Sequence, residues 1–213
     1  MDRKNSLVII AVCAILAVLK LYYSGNVASA EEKTMQNSGD SYAIFSGGCF
    51  WCMQPAFDKL PGVHATVVGY TGGSVANPTY EQVTSGKTGH RESIKVVYDP
   101  TKVSYEKLLQ AFWHTIDPTQ TDGQFADRGS HYLTAIFVKD DEQRRLAEAS
   151  KMELAKSGKF QKPIATEILS AGEFYPAEDY HQAYYKKNAL HYNSYKVGSG
   201  RAGYLERTWG KSD

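Results

Sequence analysis

Cysteine is scarce in this chain. Among 213 residues there are three, Cys13, Cys49 and Cys52. That excludes a disulfide framework, and Cys49 and Cys52 make a poor staple because the loop they would close is tiny and its entropy gain small. An excess of one charge is also missing: 24 Lys and Arg stand against 23 Asp and Glu, a formal net charge of +1. Such a balance predicts neither nucleic-acid binding nor strong attraction to a membrane surface. Long apolar runs are absent as well. Leu7 to Leu19 is apolar for 13 residues, short of the roughly 20 that a spanning helix needs. The six histidines, His64, His90, His114, His131, His181 and His191, show no paired ligand spacing. With Cys13 set aside, two cysteines fall short of the roughly four ligands of a zinc site, so no metal is expected. No internal repeat is visible.

The first thirty residues read as a targeting segment. Arg3 and Lys4 give a basic start, the apolar run follows, and Ala28-Ser29-Ala30 is a small-x-small cleavage site. The alternative is a retained anchor over residues 7–23, with Lys20 snorkelling near the helix end. Cys13 follows Val12 rather than a small residue, so it is a poor lipid acceptor and reads as a small hydrophobe. Cleavage after Ala30 would remove three cations (Arg3, Lys4, Lys20) and one anion (Asp2), taking the formal net charge from +1 to −1. Export is therefore the expectation, with a periplasmic or other extracytoplasmic location. Residues 31–40 are polar and patternless, a linker, and residues 41–213 have the length of one domain.

Within that domain, Tyr42–Phe45 is a short apolar strand ending at Gly47-Gly48. A helix from Cys49 to Leu60 stops at Pro61-Gly62. Val63–Tyr70 reads as a strand and Asn77-Pro78 as a turn. His90–Tyr98 alternates, with Glu92, Ile94, Val96 and Tyr98 on one face. Ser104 caps a helix carrying Leu108, Leu109, Phe112 and Ile116, and Tyr132–Val138 is a further strand. Asp140 with Gln143 starts a helix that ends near Gly158. A strand over 164–169 and a helix from Glu178 to Tyr192 follow, and the tail from Ser194 reads as Gly-rich coil. The order strand, helix, strand, strand, helix, strand over 42–138 is the split βαβ, ferredoxin-like arrangement. The fold class is α+β, a two-layer sandwich with a mixed sheet.

Chemistry concentrates at Gly47-Gly48-Cys49-Phe50-Trp51-Cys52. A strand-to-helix junction puts Cys49 at helix N–H groups, which favour the thiolate. Glycines before it would let a substrate approach the backbone, and Cys52 lies one turn along on the same face. Phe50 and Trp51 suggest an apolar wall for a small group. A general dithiol–disulfide exchanger stays open on these residues, as do two inert buried thiols. Glu92 would act as an acid if an apolar pocket raised its pKa; on pattern alone a solvated strand-edge glutamate is favoured. Tyr80 and Tyr132 are hydroxyl donors if they face a site, and core tyrosines otherwise.

Seven stretches in order carry a resemblance. They are Gly48 to Cys52, Gly69 to Gly73, Asn77 to Tyr80, Thr88 to Glu92, Tyr98 to Pro100, Asp127 to Tyr132 and Phe174 to Gln182. Together, over about residues 41–192, they resemble the A-type peptide methionine sulfoxide reductases, a class that restores oxidised methionine. The resemblance implies that Cys49 attacks the sulfur of a methionine S-sulfoxide while Phe50 and Trp51 hold its methyl group. It implies that Glu92 protonates the oxygen, that Tyr80 and Tyr132 hydrogen-bond oxygen and acid, and that Asp127 joins the same polar network. It overturns the bland reading of Glu92. It leaves His181 structural. Some relatives keep a resolving cysteine in the tail; this tail has none, so Cys52 is expected to resolve Cys49. No bound cofactor is implied. The implied partners are oxidised proteins, free methionine sulfoxide and a thioredoxin-like dithiol reductant, acting on a monomer. A module that binds oxidised methionine without turnover is the third reading, and the free thiol pair argues against it.

Overall fold

The computed structural model describes residues 39–210. The expectations for residues 1–38, targeting segment and most of the linker, lie outside them. The fold is that of the compact unit beginning at Ser41. Its strands are β1 (Ser41–Ser46), β2 (Val63–Thr71), β3 (Arg91–Tyr98), β4 (Gly123–Gln124), β5 (Asp127–Arg128), β6 (Ala135–Val138), β7 (Glu167–Ser170) and β8 (Tyr175–Pro176). Its helices are α1 (Phe50–Asp58), α2 (Tyr80–Thr84), α3 (Tyr105–Trp113), α4 (Asp141–Lys156), α5 (Tyr184–Lys187), α6 (Ala189–Gly198) and α7 (Arg201–Trp209).

Six strands form one mixed sheet in the order β7-β6-β1-β3-β2-β8, and β4 and β5 form a separate small hairpin. The inner four, β6-β1-β3-β2, are antiparallel throughout. With α1 and α3 as the crossovers this is the expected ferredoxin-like core, and β7 adds in parallel to β6. Strand alternation sorts the two faces. Ala43 and Phe45 of β1 join Val68, Ile94, Val96 and Tyr98 in the main core, against Phe57 of α1 and Leu109 and Phe112 of α3. Phe45 stacks on Phe57 at 5.3 Å and on Phe112 at 5.0 Å. Ile44, Ala135 and Phe137 point the other way, into a smaller cluster covered by Tyr42, Leu169, Ala171 and Phe174. Burying a side chain such as Phe45 stabilises the fold by about 1.5–3 kcal/mol.

Helix starts follow the capping rules. The Ser104 hydroxyl accepts from the Lys107 N–H at 3.3 Å, and Asp140 accepts from the Gln143 N–H at 2.8 Å. Helix α2 was expected only as a turn. Its signal is a capping box, Thr79 with Gln82, which bond each other's backbone N–H at 3.3 and 3.0 Å.

Three expectations fail. Tyr132 is not in a strand: Gly129, at φ 127°, turns the chain into a 3-10 helix over Ser130–Tyr132, and β6 starts at Ala135. The helix over Glu178–Tyr192 is broken by Ala183 in left-handed backbone, φ 51°. Residues 178–183 instead serve the sheet edge. The Gln182 amide accepts from the Val68 N–H at 3.0 Å and donates to the Val68 carbonyl at 2.8 Å. Finally, the tail is not coil. It forms α6 and α7, joined through Gly200 at φ 81°. Glycines lower helix propensity, but burial of Tyr192 and Arg201 holds these helices against the domain.

Candidate active site

The β1–α1 junction carries both thiols. Cys49 is the N-cap of α1, with φ −53° and ψ 116°, and its carbonyl accepts from the Cys52 N–H at 3.0 Å. Both cysteines are buried and unbridged, and their sulfurs are hydrogen-bonded to each other. The glycines before them do not open the backbone to a substrate. A Cβ on Gly47 would meet the Met53 sulfur at 2.7 Å, and one on Gly48, φ +77°, the Gln124 Cβ at 2.5 Å. They are small because the turn is packed from behind.

Glu92 ends the core-facing stripe of β3, opposite Tyr70 of β2, and is 1% exposed. Its Oε2 accepts from the Phe50 N–H, the first of α1, at 3.1 Å. Burial raises its pKa to about 8; that N–H opposes the rise, and the nearby Asp127 and Cys52 add to it. At neutral pH Glu92 is a neutral acid aimed at the residue after Cys49. Burial pushes the Cys49 thiol well above its usual range, and the hydrogen bond to Cys52 and the Glu92 charge push the same way. Cys52 goes the opposite way, to about 7, drawn down by the hydrogen bond from Cys49 and, against burial, by the Arg201 charge. The two thiols thus titrate as one unit, Cys49 pushed up and Cys52 drawn down.

Trp51 and Phe50 line an aromatic wall whose centre is His181, 1% exposed. The Trp51 indole N–H donates to His181 Nδ1 at 3.0 Å. The His181 ring lies 5.0 Å from Phe50 and 4.5 Å from Tyr80. Because Nδ1 accepts, the proton of the neutral ring belongs on Nε2, 3.9 Å from Glu178. Burial lowers the His181 pKa. Behind Trp51, Tyr184 of α5 stacks at 3.8 Å with planes 8° apart.

The hydroxyls gather around Glu92. Tyr80 begins α2, its N–H held by Glu178 Oε1 at 2.9 Å, and the other Glu178 oxygen accepts from the Tyr70 hydroxyl at 2.8 Å. The Tyr80 and Tyr132 hydroxyls are neighbours that act on each other. Burial, then the charges of Glu92 and Cys49, push Tyr80 to about 12. Burial and Glu92 hold Tyr132 higher still, so both remain donors. Asp127 of β5 accepts from the Tyr195 hydroxyl of α6, which lies near enough to act on Cys49. All eight residues singled out from the sequence, Cys49, Phe50, Trp51, Cys52, Tyr80, Glu92, Asp127 and Tyr132, therefore converge on one site. Three contributors, Tyr195, Tyr184 and Arg201, come from the stretch read as plain helix and coil. Their signal was aromatic density: Tyr184, Tyr185, Tyr192, Tyr195 and Tyr204 fall within 21 residues of a polar tail. Among the described residues no three His, Cys, Asp or Glu are grouped to hold a metal ion.

Comparison with known proteins agrees with this arrangement. The family model described as "Peptide methionine sulfoxide reductase" matches residues 41–213. A peptide methionine sulfoxide reductase MsrA of Bacillus pumilus is 59% identical over 167 residues, spanning 78% of this chain and 94% of that protein. Among solved structures, methionine sulfoxide reductase A of Corynebacterium diphtheriae is 37% identical with a TM-score of 0.65, over 73% of this chain and 78% of that one. Reduced Mxr1 of Saccharomyces cerevisiae is 29% identical with a TM-score of 0.66, over 72% and 88%.

Proposed function

Since the chain belongs to the peptide methionine sulfoxide reductase family, we propose that it returns the S-epimer of methionine sulfoxide, free or in proteins, to methionine, with Cys49 as nucleophile and Glu92 as acid. The observation that carries this reading is the Glu92 carboxyl, buried and hydrogen-bonded to the first N–H of the helix that Cys49 caps. Oxide cannot leave a sulfoxide unprotonated. A carboxylic acid kept neutral to about pH 8 supplies the proton at the working pH.

In the first step the substrate S-methyl lies against Phe50 and Trp51, and its oxygen faces Glu92, Tyr80 and Tyr132. The Cys49 sulfur attacks the substrate sulfur as Glu92 protonates the oxygen. The Cys49 proton passes to the Glu92 carboxylate or the Cys52 thiolate. The hydroxyl is transferred to Cys49, which becomes a sulfenic acid, oxidised by the two electrons that methionine gains. Cys52 then attacks Cys49, water leaves, and a Cys49–Cys52 disulfide forms. An external thioredoxin-like dithiol reduces it by exchange; no bound cofactor takes part. Asp127 orients Tyr195, and His181 orients Trp51.

A general dithiol–disulfide exchanger would need no buried neutral acid, which is why sulfoxide reduction is the better account of Glu92. Turnover of separated methionine sulfoxide epimers with dithiothreitol tests the reading. The S-epimer should be consumed and the R-epimer spared; equal rates, or none with folded protein, would refute it. We place the enzyme outside the cytoplasm as a monomer, on the strength of residues 1–30 and the neutral surface composition. The mass of the mature N-terminus separates cleavage after Ala30 from an anchor over residues 7–23.

A further inference from the structure

Arg201 is the largest side chain buried to below 2% exposure, and the reaction as written gives it no task. Its guanidinium donates to the Thr115 carbonyl at 2.6 Å and to the Gly47 carbonyl from Nη1 and Nη2, each at 3.3 Å. It lies over the Phe125 ring, 4.5 Å from the centroid. A Cβ on Gly48 would come within 2.9 Å of Nη2, so the guanidinium touches the turn that presents both thiols. Its Nε is buried without a partner, and its hydrogen bonds to other described residues go to backbone carbonyls.

That arrangement is costly if the side chain is only a clasp. Burying a charge is unfavourable unless an anion answers it, and carbonyls can be bridged by neutral donors. The candidates for the answering anion are few. Glu92 avoids ionisation by holding its proton. The groups that act on Cys52 are Cys49 on its own helix, Arg201 of α7, Lys196 and Tyr192 of α6, Asp127 of β5 and Glu92 of β3. Of these, Arg201 is the fully buried cation, and Lys196 of α6, only half-buried, is a weaker second.

We infer that Arg201 is the positioning residue of the resolving step: it fixes the Gly47-Gly48 turn from behind and supplies the positive charge that lets Cys52 attack as a thiolate. This rests on the reading of Cys52 as the resolving cysteine. In that step the Cys52 sulfur forms a bond to the Cys49 sulfur while the Cys49 S–O bond breaks. Cys52 is oxidised from thiolate to disulfide level, Cys49 is reduced from sulfenic to disulfide level, and the oxygen leaves as water with a proton from Glu92 or solvent. No outside oxidant is needed. The thiolate fraction of the attacker sets the rate, which ties the step to Arg201. The first step depends on it less, because loss of the cation leaves Glu92 protonated and its carboxylate, once the oxygen has its proton, can still take the Cys49 proton.

Single-turnover kinetics separate the two steps. Arg201→Met should still release about one methionine per enzyme, within about threefold of the wild-type rate, half a pKa unit's worth. Its disulfide should form about tenfold or more slowly at pH 7, equivalent to one pKa unit, with a carbon-nucleophile probe trapping the lingering sulfenic acid. The rate should recover towards pH 9. Arg201→Lys keeps the charge but not the fork, so it should lose thermal stability while retaining the wild-type pH profile of disulfide formation. That variant also decides the matter if Arg201→Met does not fold. A wild-type profile in Arg201→Met, or a profile in Arg201→Lys displaced as far as removal of the charge would displace it, overturns the inference. Failure of the underlying reading looks different: Cys52→Ser would then turn over repeatedly with a thioredoxin reductant, whatever Arg201 does.

Discussion

Glu92 and Arg201 are each 1% exposed and flank the same turn, yet one comes from the centre of the sheet and the other from the chain's last helix. On the sheet side, apolar walls and one N–H bond leave a carboxyl that escapes its charge. On the tail side, carbonyls and an aromatic face hold a cation that keeps it. The sheet thus supplies a proton and the tail supplies a field. One is spent in making the sulfenic acid and the other serves to remove it. Division of labour follows from topology: β3 passes beside β1 and reaches the front of the Cys49 turn, whereas α7 reaches its back.

The largest expected effect tests the sheet side. Glu92→Gln should slow single-turnover methionine release by about 10²–10⁴-fold, the range of a lost general acid, while leaving exchange with a small disulfide nearly unchanged. If both fell together, Glu92 would be a packing residue. Next comes Cys52→Ser, which should release about one methionine per enzyme and then stall as sulfenic acid with a thioredoxin reductant; continued turnover would remove the resolving role. A smaller effect is expected from the link between the regions. Tyr195→Phe loses the hydroxyl shared by Asp127 and Cys49 and should cost about fivefold to tenfold in kcat/KM, near 1 kcal/mol for one hydrogen bond. An unchanged value would confine Tyr195 to packing on Trp51.

The pH dependence sharpens the contrast further. Because only protonated Glu92 donates, methionine release should hold up to neutrality and fall as pH rises through about 8. The same shift has a stability cost. Folding raises the Glu92 pKa, so between the unfolded value and about 8 the native state binds a proton that the unfolded chain has lost, and stability declines with rising pH. Glu92→Gln should therefore melt above the wild type by about 10 °C at pH 8, with little difference at pH 4. Calorimetry at the two values checks it, and a constant gap would point to packing instead.

How much of this was readable beforehand also divides by region. The sheet and its two crossovers were legible because β1 is a short apolar run closed by Gly47-Gly48, β3 alternates, Pro61-Gly62 stops the first helix and Ser104 announces the second. Glu92 could be placed on the core-facing stripe with Ile94, Val96 and Tyr98, but not judged buried, since that depends on Tyr70 and Phe50 arriving from elsewhere. The tail was illegible for a physical reason. Gly198, Gly200 and Gly203 predict coil by propensity, and the energy that overrides them comes from long-range contacts of Tyr192, Tyr195 and Arg201. Ala183 in left-handed backbone gives no sequence warning.

The Gln182 amide has a consequence beyond the site. By occupying the N–H of Val68, and sharing its carbonyl with the Ala177 N–H, it closes the donor that β2, next to the short β8, would otherwise offer to another chain. Gln54 donates to the Thr66 carbonyl, 3.4 Å away. Unpaired sheet edges recruit foreign strands, and oxidised proteins expose such strands when they loosen. A repair enzyme with its own edge stoppered by glutamines can handle damaged clients without being drawn into their aggregates.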